Sequence, residues 1–248
     1  MTRRGLLVTA GIVAFVVFMV ALVPATVLTR WLPPGVVVTG LDGTIWSGRA
    51  SSVSLQGRVI GATRWSCRPW PLLKLEWSCR VELQPSEGQI SASLSGDFNA
   101  DEIEARDLTG NLPIALLVGI VTPKGWTGRL DLDVARARLA GGLPQDAEGK
   151  LFVRGLRAPG PGGALLGDFE LTIGEGAVGT GTLTGRLSDL GGPLRVRGTI
   201  ELRPDRSYFG SGEVAPGPGA GPEIFDTLAF LGPPDASGRR PFSIEGSL

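Results

Sequence analysis

Apolar and polar residues alternate one for one along much of the chain beyond residue 31. A period of two is the signature of extended strands with one buried face. In Leu75-Glu76-Trp77-Ser78-Cys79-Arg80-Val81-Glu82-Leu83 every odd position is apolar and every even one polar. The same rhythm runs through Ile90, Ala92, Leu94, Gly96 and Phe98; through Leu130, Leu132 and Val134; and through Phe169, Leu171 and Ile173. It returns at Leu194, Val196, Gly198, Ile200 and Leu202, and at Phe242, Ile244, Gly246 and Leu248. Turn-forming residues separate the runs, so the pattern predicts an all-β body: a mainly antiparallel, twisted or curved sheet, sandwich- or trough-like. One or two short helices interrupt it. Pro113 to Ile120 is ambiguous, whereas Pro222 to Gly232 has Pro in the first turn, Glu223 beside it, and Ile224, Phe225, Leu228 and Leu231 on one face. The segments 158–163 and 215–221 read as loops.

Composition agrees with a β body. Glycine (38) and proline (19) suit many turns, while 42% apolar residues argue against disorder. The 24 basic and 24 acidic residues cancel, so no global field draws nucleic acid, and none is expected as a partner. Histidine is absent, which removes the commonest general base, the Ser-His and Cys-His pairs and most zinc sites. Lysine occurs only at Lys74, Lys124 and Lys150, none in an S-x-x-K spacing. Catalysis, metal and cofactor are therefore not expected.

The first thirty residues follow a different rule. After Arg3 and Arg4, Gly5 to Thr29 holds no charge until Arg30. At helical rise this run covers about 37 Å, more than the roughly 30 Å hydrocarbon core of a bilayer. A cleaved secretory signal is the competing reading, with Val23-Pro24-Ala25 as its cleavage site. The apolar stretch before that site exceeds the usual signal length, which favours a retained anchor. Arg3 and Arg4 then mark the cytoplasmic side. The expected organisation is a cytoplasmic stub and transmembrane signal anchor over 1–30, and a periplasmic β domain over 31–248.

Only two cysteines occur, in the near-repeat WSCRPWPLLKLEWSCR. A hairpin of Val59 to Cys67 with Leu75 to Leu83 about the Pro-Trp-Pro-Leu-Leu connection places Cys67 opposite Cys79 and Trp65 opposite Val81. A cross-strand disulfide is then geometrically natural in an oxidising compartment. Free buried thiols are the alternative, and the spacing does not suit redox or metal chemistry.

Three motifs mislead. Gly174-Glu175-Gly176-Ala177-Val178-Gly179 matches G-x-G-x-x-G, but the β-branched, glycine-rich Thr180 to Arg186 follows where a nucleotide fold needs a helix, so a hairpin turn is expected. Asp131 and Asp133 share a strand face with Arg129 and read as a solvated outer face. Gly210-Ser211-Gly212 lacks the nucleophile-elbow pattern.

The stretch GTIWSGRA, Gly43 to Ala50, is harder to place. Trp46 shares parity with Thr44, Gly48 and Ala50, whereas Val53 and Leu55 fall on the opposite parity. This predicts a bulge or bend, most naturally at Gly48, with Trp46 as a core anchor between small residues. A partner-binding aromatic is the alternative.

The order of these features resembles the type II secretion system protein N family. The resemblance runs from GTIWSGRA through ATRWSCRPWPLLKLEWSCRVEL (Ala62 to Leu83) and LSDLGGPLRVRGTIEL (Leu187 to Leu202) to SYFGSGEV and the closing LAFLGPPDASGRRPFSIEGSL. Its most specific elements are Gly43, Thr44, Trp46 and Gly48, and then Trp65, Arg68, Pro69, Leu72 and Leu73. The resemblance implies a single-pass inner-membrane protein of a Gram-negative cell, N-terminus inside, whose periplasmic domain serves the export of folded proteins. It implies inner-membrane platform proteins and the secretin as partners, and no catalytic residue. Cys67 and Cys79 are not part of it, so their pairing rests on the hairpin alone. The alternative function is an anchored lipid-binding or lipid-transfer module, because Leu75, Trp77, Ile90, Leu94, Leu132 and Leu194 line either a closed core or an open groove.

Overall fold

A computed structural model of the chain describes residues 3–32, 35–55, 57–71, 75–97, 102–117, 125–141, 143–160, 163–174 and 182–247. These form two compact units, Met1–Ser86 and Glu87–Leu248. Within each, the strands make one antiparallel sheet in sequence order, so neither unit is a sandwich.

The first unit opens with helix α1, Arg3–Ala21, followed by a 3-10 turn, Ala25–Trp31. From Ile12 to Leu22 the side chains of α1 and its exit stay exposed on every face. Among the described residues no helix is long and apolar enough to cross a membrane, so the anchor stays an expectation of the sequence. A four-stranded meander follows: β1 (Val36–Gly43), β2 (Ser47–Leu55), β3 (Arg58–Arg68) and β4 (Glu76–Pro85). The alternation predicted about the cysteines holds, with Trp65 opposite Val81 and Cys67 opposite Cys79. Leu75, expected to face inward, lies ahead of β4 and is 61% exposed.

The predicted change of parity between Trp46 and Val53 is present, but not at Gly48. On β2 the inward position passes from Ala50 to Val53, and on the paired β1 from Leu41 to Val38. Between them Gly40, at φ 64°, lies against Ser51. Left-handed backbone is accessible to glycine at little cost, so the two strands switch faces together there. The β2–β3 register shifts over the same stretch, between Ala50 and Val53.

The second unit is a nine-stranded meander: β5 (Gln89–Asp97), β6 (Glu102–Pro113), β7 (Thr127–Ala140), β8 (Leu143–Arg157), β9 (Leu165–Ile173), β10 (Leu183–Asp189), β11 (Leu194–Leu202), β12 (Ser207–Pro216) and β13 (Arg240–Ser247). One face collects the alternating apolar residues. A row across it reads Leu108, Val134, Gly149, Ile173, Gly185, Ile200, Gly210, Ile244, so that from β7 onward branched side chains alternate with glycines. The opposite face is charged, with Lys150–Glu170 at 2.8 Å, Arg154–Asp131 at 3.1 Å and Arg106–Glu104 at 2.9 Å.

Two small elements cover part of the apolar face. Helix α2, Pro222–Ala229, buries Ile224 and Leu228 against Phe169, Val196 and Val214. Phe225 and Leu231, read as belonging to the same face, are exposed instead, because Phe225 is turned about 100° from Ile224 and Leu231 lies beyond the end of the helix at Ala229. The ambiguous segment after Pro113 gives a 3-10 turn, Ile114–Leu117, that buries Ile114; residues 118–124 lie outside the described ones. A second cluster joins Ala105, Val134, Ala137 and Ala147. Elsewhere Ile90, Leu94, Leu132 and Leu194 are half-buried, not enclosed.

Candidate functional site

The motif residues of GTIWSGRA converge where the chain leaves α1, and their geometry is that of a clamp. Gly43 ends β1 at φ 97°, and a Cβ there would lie 2.5 Å from the Ser47 carbonyl. The hydroxyl of Thr44 accepts from the main-chain N–H groups of Trp46 and Ser47, both at 3.3 Å, while Thr44 N–H donates to Ser47 C=O at 2.9 Å. This side-chain-to-backbone bonding closes a tight turn between β1 and β2.

The turn holds Trp46 out of the strands. Its indole N–H donates to Val20 C=O at 2.8 Å, and Ile45 N–H donates to Val23 C=O at 3.0 Å. The last carbonyls of a helix lack intrahelical donors, so the turn supplies what α1 cannot. Pro24 also bridges to Thr44 in antiparallel fashion. Trp46 is thus a half-buried clasp on the helix end and not the strand-borne core anchor its parity suggested.

A second tryptophan fixes the turn from the other side. Trp65 donates its indole N–H to Thr44 C=O at 3.1 Å and lies opposite Gly48 in the β2–β3 register, where a Cβ would run into the Trp65 ring. The space left by Gly48 therefore serves Trp65, not Trp46. Cys67 N–H donates to Trp46 C=O at 2.6 Å, and the Cys67–Cys79 disulfide closes β3 on β4 at that level. The structure thus brings together Gly43, Thr44, Trp46, Gly48, Trp65, Cys67 and Cys79. Arg68 and Pro69 stand exposed just beyond, and Leu72 and Leu73 lie outside the described residues.

The helix-end partners Val20 and Val23 escaped the sequence reading, which took GTIWSGRA for a strand. The available signal was Asp42-Gly43, a dipeptide that favours tight hairpin turns.

Elsewhere several ionisable groups are engaged in structure. Glu170 is held below its usual carboxylate value, chiefly by the Lys150 ammonium and then by the Thr172 hydroxyl at 3.0 Å. Asp131 is bound by Arg154. β9 and β10 pair antiparallel, so the G-x-G-x-x-G match falls in a hairpin connection whose residues 175–181 lie outside the described ones. A cleft of about 720 Å³ between β11, β12 and the segment before β13 is lined by Asp189, Arg195, Arg197, Glu213 and Arg239. There Arg239 bonds Glu213 at 2.8 Å, and Asp189 accepts from the N–H groups of Gly191 and Val196. Among the described residues no group of three or more His, Cys, Asp or Glu side chains could hold a metal ion.

The family model for the type II secretion system (T2SS), protein N, matches residues 34–243. The chain belongs to this family. It is 28% identical to the type II secretion system protein N of Aeromonas hydrophila over the whole of both chains. It is also 28% identical to the protein of that name from Vibrio cholerae serotype O1, over 88% of this chain and 87% of the other. No solved structure matches. The protein N match includes both tryptophans of the clamp, the disulfide, β1 to β12 and the first half of β13, and it begins after the helix end that the clamp holds.

Proposed function

We propose that this protein is a non-catalytic inner-membrane accessory component of the type II secretion machinery. Residues 1–30 act as a cytoplasmic stub and retained single-pass anchor, and 31–248 as a periplasmic β domain that supports export of folded proteins across the outer membrane. The observation that carries the reading is the clamp on α1. A helix whose apolar side chains from Ile12 to Val20 stay exposed on every face needs a solvent other than water, and a bilayer is that solvent. A hairpin that hydrogen-bonds the end of such a helix makes a mechanical joint between anchor and domain. Family membership supplies the machine, and inner-membrane platform proteins and the secretin are the partners proposed.

The test has two arms. Alkaline extraction and protease access in spheroplasts should leave the chain in the membrane with its β domain degraded from outside. Deletion should reduce secretion, and crosslinking should recover platform or secretin subunits. A chain released by alkali, or a deletion strain that secretes normally with no such subunit recovered, would overturn the reading.

A second reading, an anchored lipid-binding module, draws on one observation: much of the apolar face of the second unit is only half-buried. Phospholipid copurifying with the detergent-extracted chain in native mass spectrometry would favour it.

A further inference from the structure

The clamp fixes which end of the first unit faces the helix, and the β3–β4 connection emerges from that same end. Trp46 bonds the helix at Val20, Cys67 bonds Trp46, and β3 ends one residue later at Arg68. Pro69, Trp70 and Pro71 follow, and Leu75 precedes β4. Trp70 is 77% exposed and Leu75 61% exposed, the latter in left-handed backbone at φ 60°, which a leucine rarely adopts. Both side chains thus offer apolar surface to the solvent.

We infer a second membrane contact: Trp70 and Leu75 insert at the headgroup–acyl boundary of the bilayer that α1 crosses. The inference rests on the anchor reading above. Three features favour a lipid surface over a protein partner. The residues lie beside the helix exit, where the bilayer surface would begin. Tryptophan, with an apolar ring and one N–H donor, is the side chain enriched at that depth. The charge at this end is also favourable. Arg68 and Arg80 are exposed beside one acid, Glu76, while Asp42 and Arg49 neutralise each other at 2.8 Å, so the end suits an anionic headgroup. With α1 as one support and Trp70 as another, the sheet of the first unit is held at a set tilt to the membrane.

The test uses the full chain in nanodiscs of phosphatidylethanolamine and phosphatidylglycerol, with and without bromine on the acyl carbons near the headgroup. Trp70 is read as the difference between wild type and Trp70→Phe. The expected result is a blue-shifted emission component, quenched by the brominated lipid and missing from the variant, with alkali resistance unchanged in both. If the chain resists alkali but the difference emission is red-shifted and unquenched, the inference is overturned while the anchor reading stands. If alkali releases wild-type chain, the anchor reading falls and this inference with it. Because Trp70 is exposed and makes no core contact, unchanged thermal unfolding of Trp70→Phe is expected and serves as the folding control.

Discussion

The indole N–H of Trp46 and the main-chain carbonyl of Val20 meet at 2.8 Å across 26 residues of sequence. This bond ties the first hairpin to the helix that precedes it, and replacing the donor isolates its contribution. Trp46→Phe keeps an aromatic ring and removes the N–H. We expect a loss of about 1 kcal/mol, the usual net worth of one hydrogen bond. Urea unfolding checks the magnitude, and faster proteolysis between residues 21 and 43 checks the place.

The Cys67–Cys79 bridge closes a short loop, with a sequence separation of 12. Cross-links of this span stabilise by about 3 kcal/mol through the unfolded chain. The Cys67→Ala, Cys79→Ala double variant should lose about that much, and reductant should have no further effect on it. Thiol titration of the native wild-type chain should find no free thiol.

Helix α2 is held by two side chains, Ile224 and Leu228, each 3% exposed. Leu228→Ala should cost about 2–5 kcal/mol, as deletion of a buried leucine does. The neighbouring Phe230 is 91% exposed, and Phe230→Ala should stay within about 0.5 kcal/mol. Chemical denaturation of the pair separates packing from mere apolarity.

The turn before β13 should respond to acid. The carboxylate of Asp235 accepts from the N–H groups of Arg239 at 2.9 Å and Ser237 at 2.8 Å, and these bonds, the one from Arg239 foremost, hold it below the usual carboxylate range. Because the folded value is depressed, its stabilisation is present above the unfolded pKa and fades as pH falls through the folded one. Amide exchange at Ser237 and Arg239 should accelerate only in acid below that ordinary range. Asp235→Asn should remove most of that pH dependence.

Alternation located the strands because each has one wet face, and it placed Cys67 opposite Cys79 because a hairpin register propagates from its turn. The same logic misplaced Trp46, whose partner is a helix carbonyl that no local period reports. The face change was predicted from parity at Val53, yet parity alone did not say that Gly40 on the neighbouring strand makes the kink. Phe225 looked inward on a helix that buries only its i, i+4 pair, and Leu231 on a helix that in fact stops at Ala229. Exposure at Trp70 was invisible in sequence because a proline-flanked tryptophan reads equally well as core or as surface.

Strand-by-strand pairing in sequence order has a consequence for how the chain reaches its final form. In each unit every strand pairs with the one just before it, and α2 packs back onto β9, β11 and β12, which precede it in sequence. No strand has to wait for a distant pairing partner, so the closure entropy of each pairing step is that of a single loop. A chain made N-terminus first can therefore add strands as they emerge, each pairing with the free edge left by the one before it.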